Sequence, residues 1–143
     1  MTATEVQAQA AEDLVDDLVT QLLDECDPKK NDPATFLGTQ FDKGLAWVHF
    51  PVGHGGLGVN PKLQKLVNER LTAAGAPNSY SRNPIGYGMC GPTVVVWGSE
   101  EQKTRYLRPL FTGEEIWCQL FSEPGAGSDF AGLAAKGVRD GDE

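Results

Sequence analysis

Up to Gly113 the sequence reads as a run of capped helices; beyond Gly113 that punctuation stops. In "TATEVQAQAAEDLVDDLVTQLLDE", Val6, Ala10, Leu14, Leu18 and Leu22 recur every four residues and predict one apolar stripe. Thr4 and Gln7 suit a capping box, Glu12, Asp13, Asp16 and Asp17 a solvated face, and Pro28 cannot continue the helix. Phe36, Leu37 and Phe41 predict a short helix that stops at Gly44. Asn60 caps and Pro61 opens the next, with Leu63, Leu66, Val67, Leu71 and Ala74 inward and Gly75 at its close. "TVVVW" suits either a strand or a short buried helix, which periodicity cannot separate at this length. Ser99 and Gln102 cap a last helix with Tyr106, Leu107 and Leu110 on its core face. After Gly113 the short, aromatic-rich "EIWCQLFS" predicts a strand and "EPGAGSDFAG" an exposed glycine loop. "LAAKGVRDGDE" predicts a second strand that stops at the Asp140-Gly141 turn. The expectation is an all-helical unit over residues 1–113 and an unfinished β unit over 114–143.

Composition narrows the function classes. The 143 residues, 40% hydrophobic, suffice for one small core and not for two full domains. A net charge of -8 argues against duplex nucleic acid or an anionic membrane as partner. Cys26, Cys90 and Cys118 are too few and too scattered for a disulfide framework and are expected as reduced thiols. His49 and His54 flank Pro51 with no acidic pair at ligand spacing, so no metal site is expected. The sequence has no long apolar run and no basic leader with an apolar core, which predicts a soluble, cytoplasmic protein without a membrane span.

Two glycine motifs invite a phosphate reading. "GHGGLG", residues 53–58, fits G-x-G-x-x-G, but that fingerprint needs a helix opening inside it and an acidic residue about 20 positions on. Here Asn60-Pro61 starts the helix after the glycines, and the later "NSYSRNP" carries no Asp or Glu. The second motif lies in "CQLFSEPGAGSD", residues 118–129. Gly125 and Gly127 allow successive backbone N–H groups to converge in an anion-holding nest, and Ser128 adds a hydroxyl donor. Ser122 could meet the polar edge of a planar ring. A plain surface loop chosen for its turns fits the same residues. No Gly-Lys-Ser/Thr follows, so the loop is not a Walker motif.

"WCQLFSEPGAGSDFAGLAAKGVRDGDE" resembles the signature region of the acyl-CoA dehydrogenases. "FPVGHGGLG" resembles that family's Pro-x-x-x-Gly-Gly-x-Gly turn, and "GPTVVVWGSEEQKTRYLRPLFTGEEIWCQ" its Gly-Ser/Thr-x-Glu-Gln-Lys helix and Gly-Glu lead. The resemblance runs from the first helix to Glu143 and implies the family's N-terminal helical domain followed by the first strands of its middle β domain, cut short. It implies FAD as cofactor, an acyl-CoA thioester as substrate, an electron-accepting flavoprotein as partner, and a dimer or homotetramer when intact. The reaction removes an α-proton and a β-hydride to give the trans-2-enoyl-CoA. By the same resemblance Ser122 meets the flavin pyrimidine end, and Gln119 and Phe121 occupy the segment that flanks the flavin. Gly127 and Ser128 lie near the FAD pyrophosphate, and Ser128 also meets the CoA moiety. Residues around "NPIGYGMCGP" line the end of the acyl chain. The family's base is a glutamate of a later domain, so no catalytic residue is expected in this chain and the chain alone is expected to be inactive. Glu123, before Pro124, is not that base. Two other functions fit the same residues: a noncatalytic assembly module of a flavoprotein complex, and a relative that oxidises another carbon acid such as a nitroalkane.

Overall fold

The computed structural model describes residues 2–141, so Asp142 and Glu143, the last residues of the expected β unit, lie outside the described residues. Helix α1 spans Ala3–Glu25. Its capping box forms on Thr2 and Glu5 rather than on Thr4 and Gln7: the Thr2 side chain accepts the Glu5 N–H and the Glu5 carboxylate accepts the Thr2 N–H. The buried face also differs from the expected stripe. Val15, Val19, Leu22 and Cys26 are buried, whereas Val6 and Leu14 are exposed. A strict four-residue repeat drifts by about 40° per step around a 3.6-residue helix, so it cannot hold one face over the whole length of α1.

Helix α2 spans Pro33–Asp42, and the Asp32 carboxylate caps it by accepting the N–H groups of Ala34 and Thr35. A short 3-10 turn, Pro61–Leu63, leads into α3, Gln64–Ala73; Asn60 caps that turn through the Lys62 N–H. Helix α4 is the single turn Ser79–Arg82. A π turn over Gly86–Cys90 then runs directly into α5, Gly91–Trp97, so "TVVVW" is helical. Helix α6, Glu100–Thr112, carries the expected Ser99/Gln102 box and ends at Gly113 with φ 76°, the left-handed conformation that glycine favours.

The core has two clusters. Val15, Val19 and Leu22 of α1 pack with Phe36, Val67 and Leu71; Leu37 and Phe41 pack with Leu107, Leu110 and Phe111 of α6. Between them runs an irregular segment, residues 44–59, that is itself core: Leu45 and Val48 join the first cluster, and Ala46, Trp47 and Phe50 the second. Its backbone is satisfied locally. The N–H groups of Ala46 and Trp47 donate to Gly55 O, and those of Leu57 and Val59 to Val48 O. Gly56 is required there, because a Cβ would stand 2.1 Å from Phe50 O. "GHGGLG" is therefore a packed structural turn.

The expected strands do not form. Among the described residues there is no strand; pairing is confined to the isolated bridges Val52↔Gly56 and Glu123↔Ala126. Residues 116–121 and 133–140 have no helix or ladder, and most of their side chains are exposed. Aromatic and β-branched content marks a segment that fits a pleated surface, but a strand is a property of a pair, and neither segment has a partner among the described residues. The structure is mainly helical, and the predicted onset of a β domain is withdrawn.

Candidate functional site

Asn83 organises the surface where the helical body meets residues 114–141. It follows α4, is fully buried, and uses both ends of its amide. Its Nδ2 donates to Leu110 O and Glu115 O, each at 3.0 Å, while its Oδ1 accepts from the N–H groups of Gly86 and Trp117, each at 3.2 Å. One side chain thus joins the end of α6, the start of the π turn and the segment that leaves the helical body. Gly86 must be glycine, since a Cβ would fall 2.3 Å from Asn83 Nδ2. Trp117 is fixed further by its ring, edge-on to Tyr106 at 5.3 Å, and by the Glu115 carboxylate, which accepts its indole N–H at 3.4 Å and pairs with Arg105 at 2.7 Å.

This joint opens a groove of about 430 Å³. One wall is helical, from Ile85, Met89, Cys90, Thr93 and Val94; the other is the extended run from Trp117 to Phe121. Among the described residues, no charged side chain lines it. Thr93 spends its hydroxyl on Met89 O at 2.8 Å, which leaves the helical wall largely apolar. Burial pushes the Cys90 thiol up, and nearby Cys118 adds to the shift. The groove suits an apolar chain or a planar ring edge.

The residues expected from the sequence fall in two places. Gln119 and Phe121 line the groove, facing the "NPIGYGMCGP" segment expected near an acyl chain. Ser122, Gly127 and Ser128 lie outside it and are exposed. Their loop is tied at its base: Glu123 and Ala126 exchange backbone hydrogen bonds at 3.0 Å, and the Phe121 and Phe130 rings meet at a tilt of 48° with centroids 5.6 Å apart. The Glu123 carboxylate accepts the N–H groups of Ala134 and Ala135 at 2.6 and 3.1 Å, so it clasps the far side of the loop. Neither Gly125 nor Gly127 has a positive φ, so their amides do not turn into the concave nest that alternating left-handed residues produce. Among the described residues, the N–H groups of Gly127 and Ser128 and the Ser128 hydroxyl have no intramolecular partner, which leaves them as donors for an external acceptor.

Sequence reasoning missed Asn83 and Trp117 as organisers, and reached Ile85 and Met89 only through the segment expected near an acyl chain. The available signal was Asn-Pro at positions 83 and 84 just after a short capped helix, a place where an asparagine amide tends to serve the backbone. The histidines are otherwise engaged: His54 pairs with Glu100 at 3.0 Å, and the His49 ring meets Phe50 edge-on at 4.9 Å.

Residues 3–114 match the family described as "Acyl-CoA dehydrogenase, N-terminal domain". Among curated proteins, acyl-CoA dehydrogenase IpdE1 of Mycobacterium tuberculosis is 37% identical over 70% of this chain and 26% of its own length. Acyl-CoA dehydrogenase FadE34 of the same organism is 41% identical over 68% of this chain and 13% of its own length. The chain therefore spans about a quarter of the first relative and less of the second. Among solved structures, the crystal structure of the ChsE4-ChsE5 complex from Mycobacterium tuberculosis is 26% identical, with a TM-score of 0.54, and covers 93% of this chain and 35% of that chain.

Proposed function

The chain belongs to the acyl-CoA dehydrogenase family, and from that premise we propose that it supplies the helical end and part of the cofactor and acyl surface of an FAD-dependent acyl-CoA dehydrogenase. The observation that carries this reading is the groove, where the segment expected beside the flavin faces the segment expected beside the acyl chain across apolar space. The donor chemistry fits the cofactor. Gly127 N–H, Ser128 N–H and the Ser128 hydroxyl are exposed and unspent, as a pyrophosphate requires. Gln119 and Phe121 would flank the ring system, Ser122 would meet its polar end, and Ser128 would also serve the CoA moiety. When bound, FAD supplies the acceptor for the β-hydride of the thioester. This chain's share is to bind and orient: the apolar walls exclude water from the acyl chain, and the loop donors hold phosphate. Glu123 has no part as base in this proposal, since its carboxylate accepts the amides of Ala134 and Ala135. The electron-accepting flavoprotein, a dimeric or tetrameric assembly and a cytoplasmic location belong to the same proposal; no helix among the described residues is long and apolar enough to cross a membrane.

Titration of FAD into apoprotein that also carries the domains following this one in the family tests the loop. Ser128→Ala should weaken FAD binding roughly ten- to hundredfold, the equivalent of about 1.5–3 kcal/mol for a hydrogen bond to a charged group. Ser81→Ala, an exposed hydroxyl on α4, should not change it. Equal affinities in the two variants would remove Ser128 from the site. The 143-residue chain alone, with FAD and acyl-CoA, should show no turnover above free flavin, since the resemblance places the base in a later domain.

A noncatalytic assembly role is the second reading. It draws on Trp97 and Leu120, exposed at 84% and 88%, and on a two-protein complex among the similar structures. A flavin spectrum after co-expression with those following domains separates the two, and a substrate panel that includes nitroalkanes separates the acyl-CoA reading from another carbon acid.

A further inference from the structure

Cys90 and Cys118 stand on opposite walls of one groove. Cys90 closes the π turn and is half-buried; Cys118 lies in the extended segment and is exposed; both are free thiols. Asn83 fixes their relation. Its Oδ1 accepts from Gly86, about one turn before Cys90, and from Trp117, the residue before Cys118. Cys90 and Trp117 also pack against the same core cluster. Burial raises the Cys90 thiol, and Cys118 adds to that shift. The remaining cysteine, Cys26, is buried in the other cluster.

We propose that Cys90 and Cys118 form a dithiol site that a hydroperoxide oxidises to an intramolecular disulfide across the groove. Cys118, being exposed, reacts first: its thiolate attacks one peroxide oxygen, the O–O bond breaks, and a sulfenic acid and an alcohol (water, from hydrogen peroxide) result. The Cys90 sulfur then attacks the Cys118 sulfur, the S–O bond breaks, and the hydroxide leaves as water with the Cys90 proton. Two thiols and one hydroperoxide become a disulfide, an alcohol and water; each sulfur gives up one electron, and the peroxide bond takes both. The bridge pins the extended wall, residues 117–121, to the helical wall and narrows the groove. Nothing in this chemistry depends on a flavin or on acyl-CoA.

The test is treatment of the purified chain with one equivalent of hydrogen peroxide, followed by thiol titration, intact mass and peptide mapping. Free thiols should fall from three to one, the mass should drop by two hydrogens, and one peptide pair should join Cys90 to Cys118. Dithiothreitol should restore the starting mass, and Cys118→Ser should yield no bridge. Hydrogen exchange over residues 117–121 should slow on oxidation in the unmodified chain and stay unchanged in Cys90→Ser. Retention of all three thiols, oxygen added at Cys118 without a bridge, a link through Cys26 or between chains, or an exchange rate indifferent to oxidation would each overturn the proposal.

Discussion

Gly56 and Gly58 stand two residues apart in one turn and answer to different forces. At Gly56 a Cβ would strike Phe50 O at 2.1 Å and Trp47 O at 2.6 Å, both backbone atoms that cannot swing away. At Gly58 a Cβ would meet nothing within 4 Å, and only its φ of 66° resists a side chain. Gly56→Ala should therefore cost about 3 kcal/mol or more, since backbone has to move inside a packed core. Gly58→Ala should cost about 1–2 kcal/mol, the left-handed penalty alone. Urea unfolding of both variants checks the order, and equal midpoints would show that the close approach does not matter. The glycine spacing was legible as a turn, and its failure as a dinucleotide fingerprint followed from where Asn60-Pro61 starts the helix. Which glycine is sterically locked was not legible, because the blocking atom, Phe50 O, arrives through the tertiary path of the chain. Asn83 shows the same limit: its partners on α6 and at Trp117 are 27 and 34 positions away.

At the scale of elements, helices with local signals were legible and the rest was not. Caps and stripes lie within a few residues, so α2, α3 and α6 read well; α1 read well in extent and less well in face, because the four-residue rhythm drifts. "TVVVW" became helical because the preceding π turn feeds straight into α5. "EIWCQLFS" was read as a strand from its composition and from the family resemblance, and the side chains of residues 117–121 instead wall a groove. Its anchorage has a pH signature. The Glu115 carboxyl is held below its usual value of 4.5, first by the hydrogen bond from Arg105, against the opposing effect of burial, and then by the Trp117 indole. A carboxyl lowered in the folded state stabilises it above the unfolded value, and that contribution is lost as the pH falls through the folded value. The joint at residues 115–117 should thus be unchanged from neutrality down to about pH 4.5 and loosen below it. The Trp117 indole N–H resonance should shift over that acid range, and Glu115→Gln should flatten the titration. A shift centred near neutrality would contradict the assignment.

Across the whole molecule, stability is uneven. The two clusters hold α1, α2, α3 and α6 together, with Leu107 and Leu110 fully buried and each worth about 1.5–3 kcal/mol of burial. Residues 127–141 have almost no buried side chain and rest on the clasp from Glu123. Amides of residues 67–71 and of Leu107, Leu110 and Phe111 should be the slowest to exchange, those of 127–131 and 136–141 the fastest, with Ala134 and Ala135 between them. Glu123→Ala should bring Ala134 and Ala135 to the fast rate and leave α6 unchanged; protection over 127–141 equal to that of α3 would refute this ranking. The helical body was legible because its information is local. The groove was half legible: the resemblance named Gln119 and Phe121 on one wall as flanking a flavin, and the other wall only as a segment near an acyl chain.

The core-forming path of residues 44–59 bears on how such a chain can change length over evolution. Loops are ordinarily where insertions accumulate, because a few added residues are looped out into water at little cost. Here an added residue between Leu45 and Phe50 would shift Leu45 and Val48, or Ala46, Trp47 and Phe50, into the wrong cluster, so a stretch without helix or strand should be as intolerant of insertion as the middle of a buried helix. Length variation should instead collect at residues 27–31, where the turn after α1 is closed by its own hydrogen bonds.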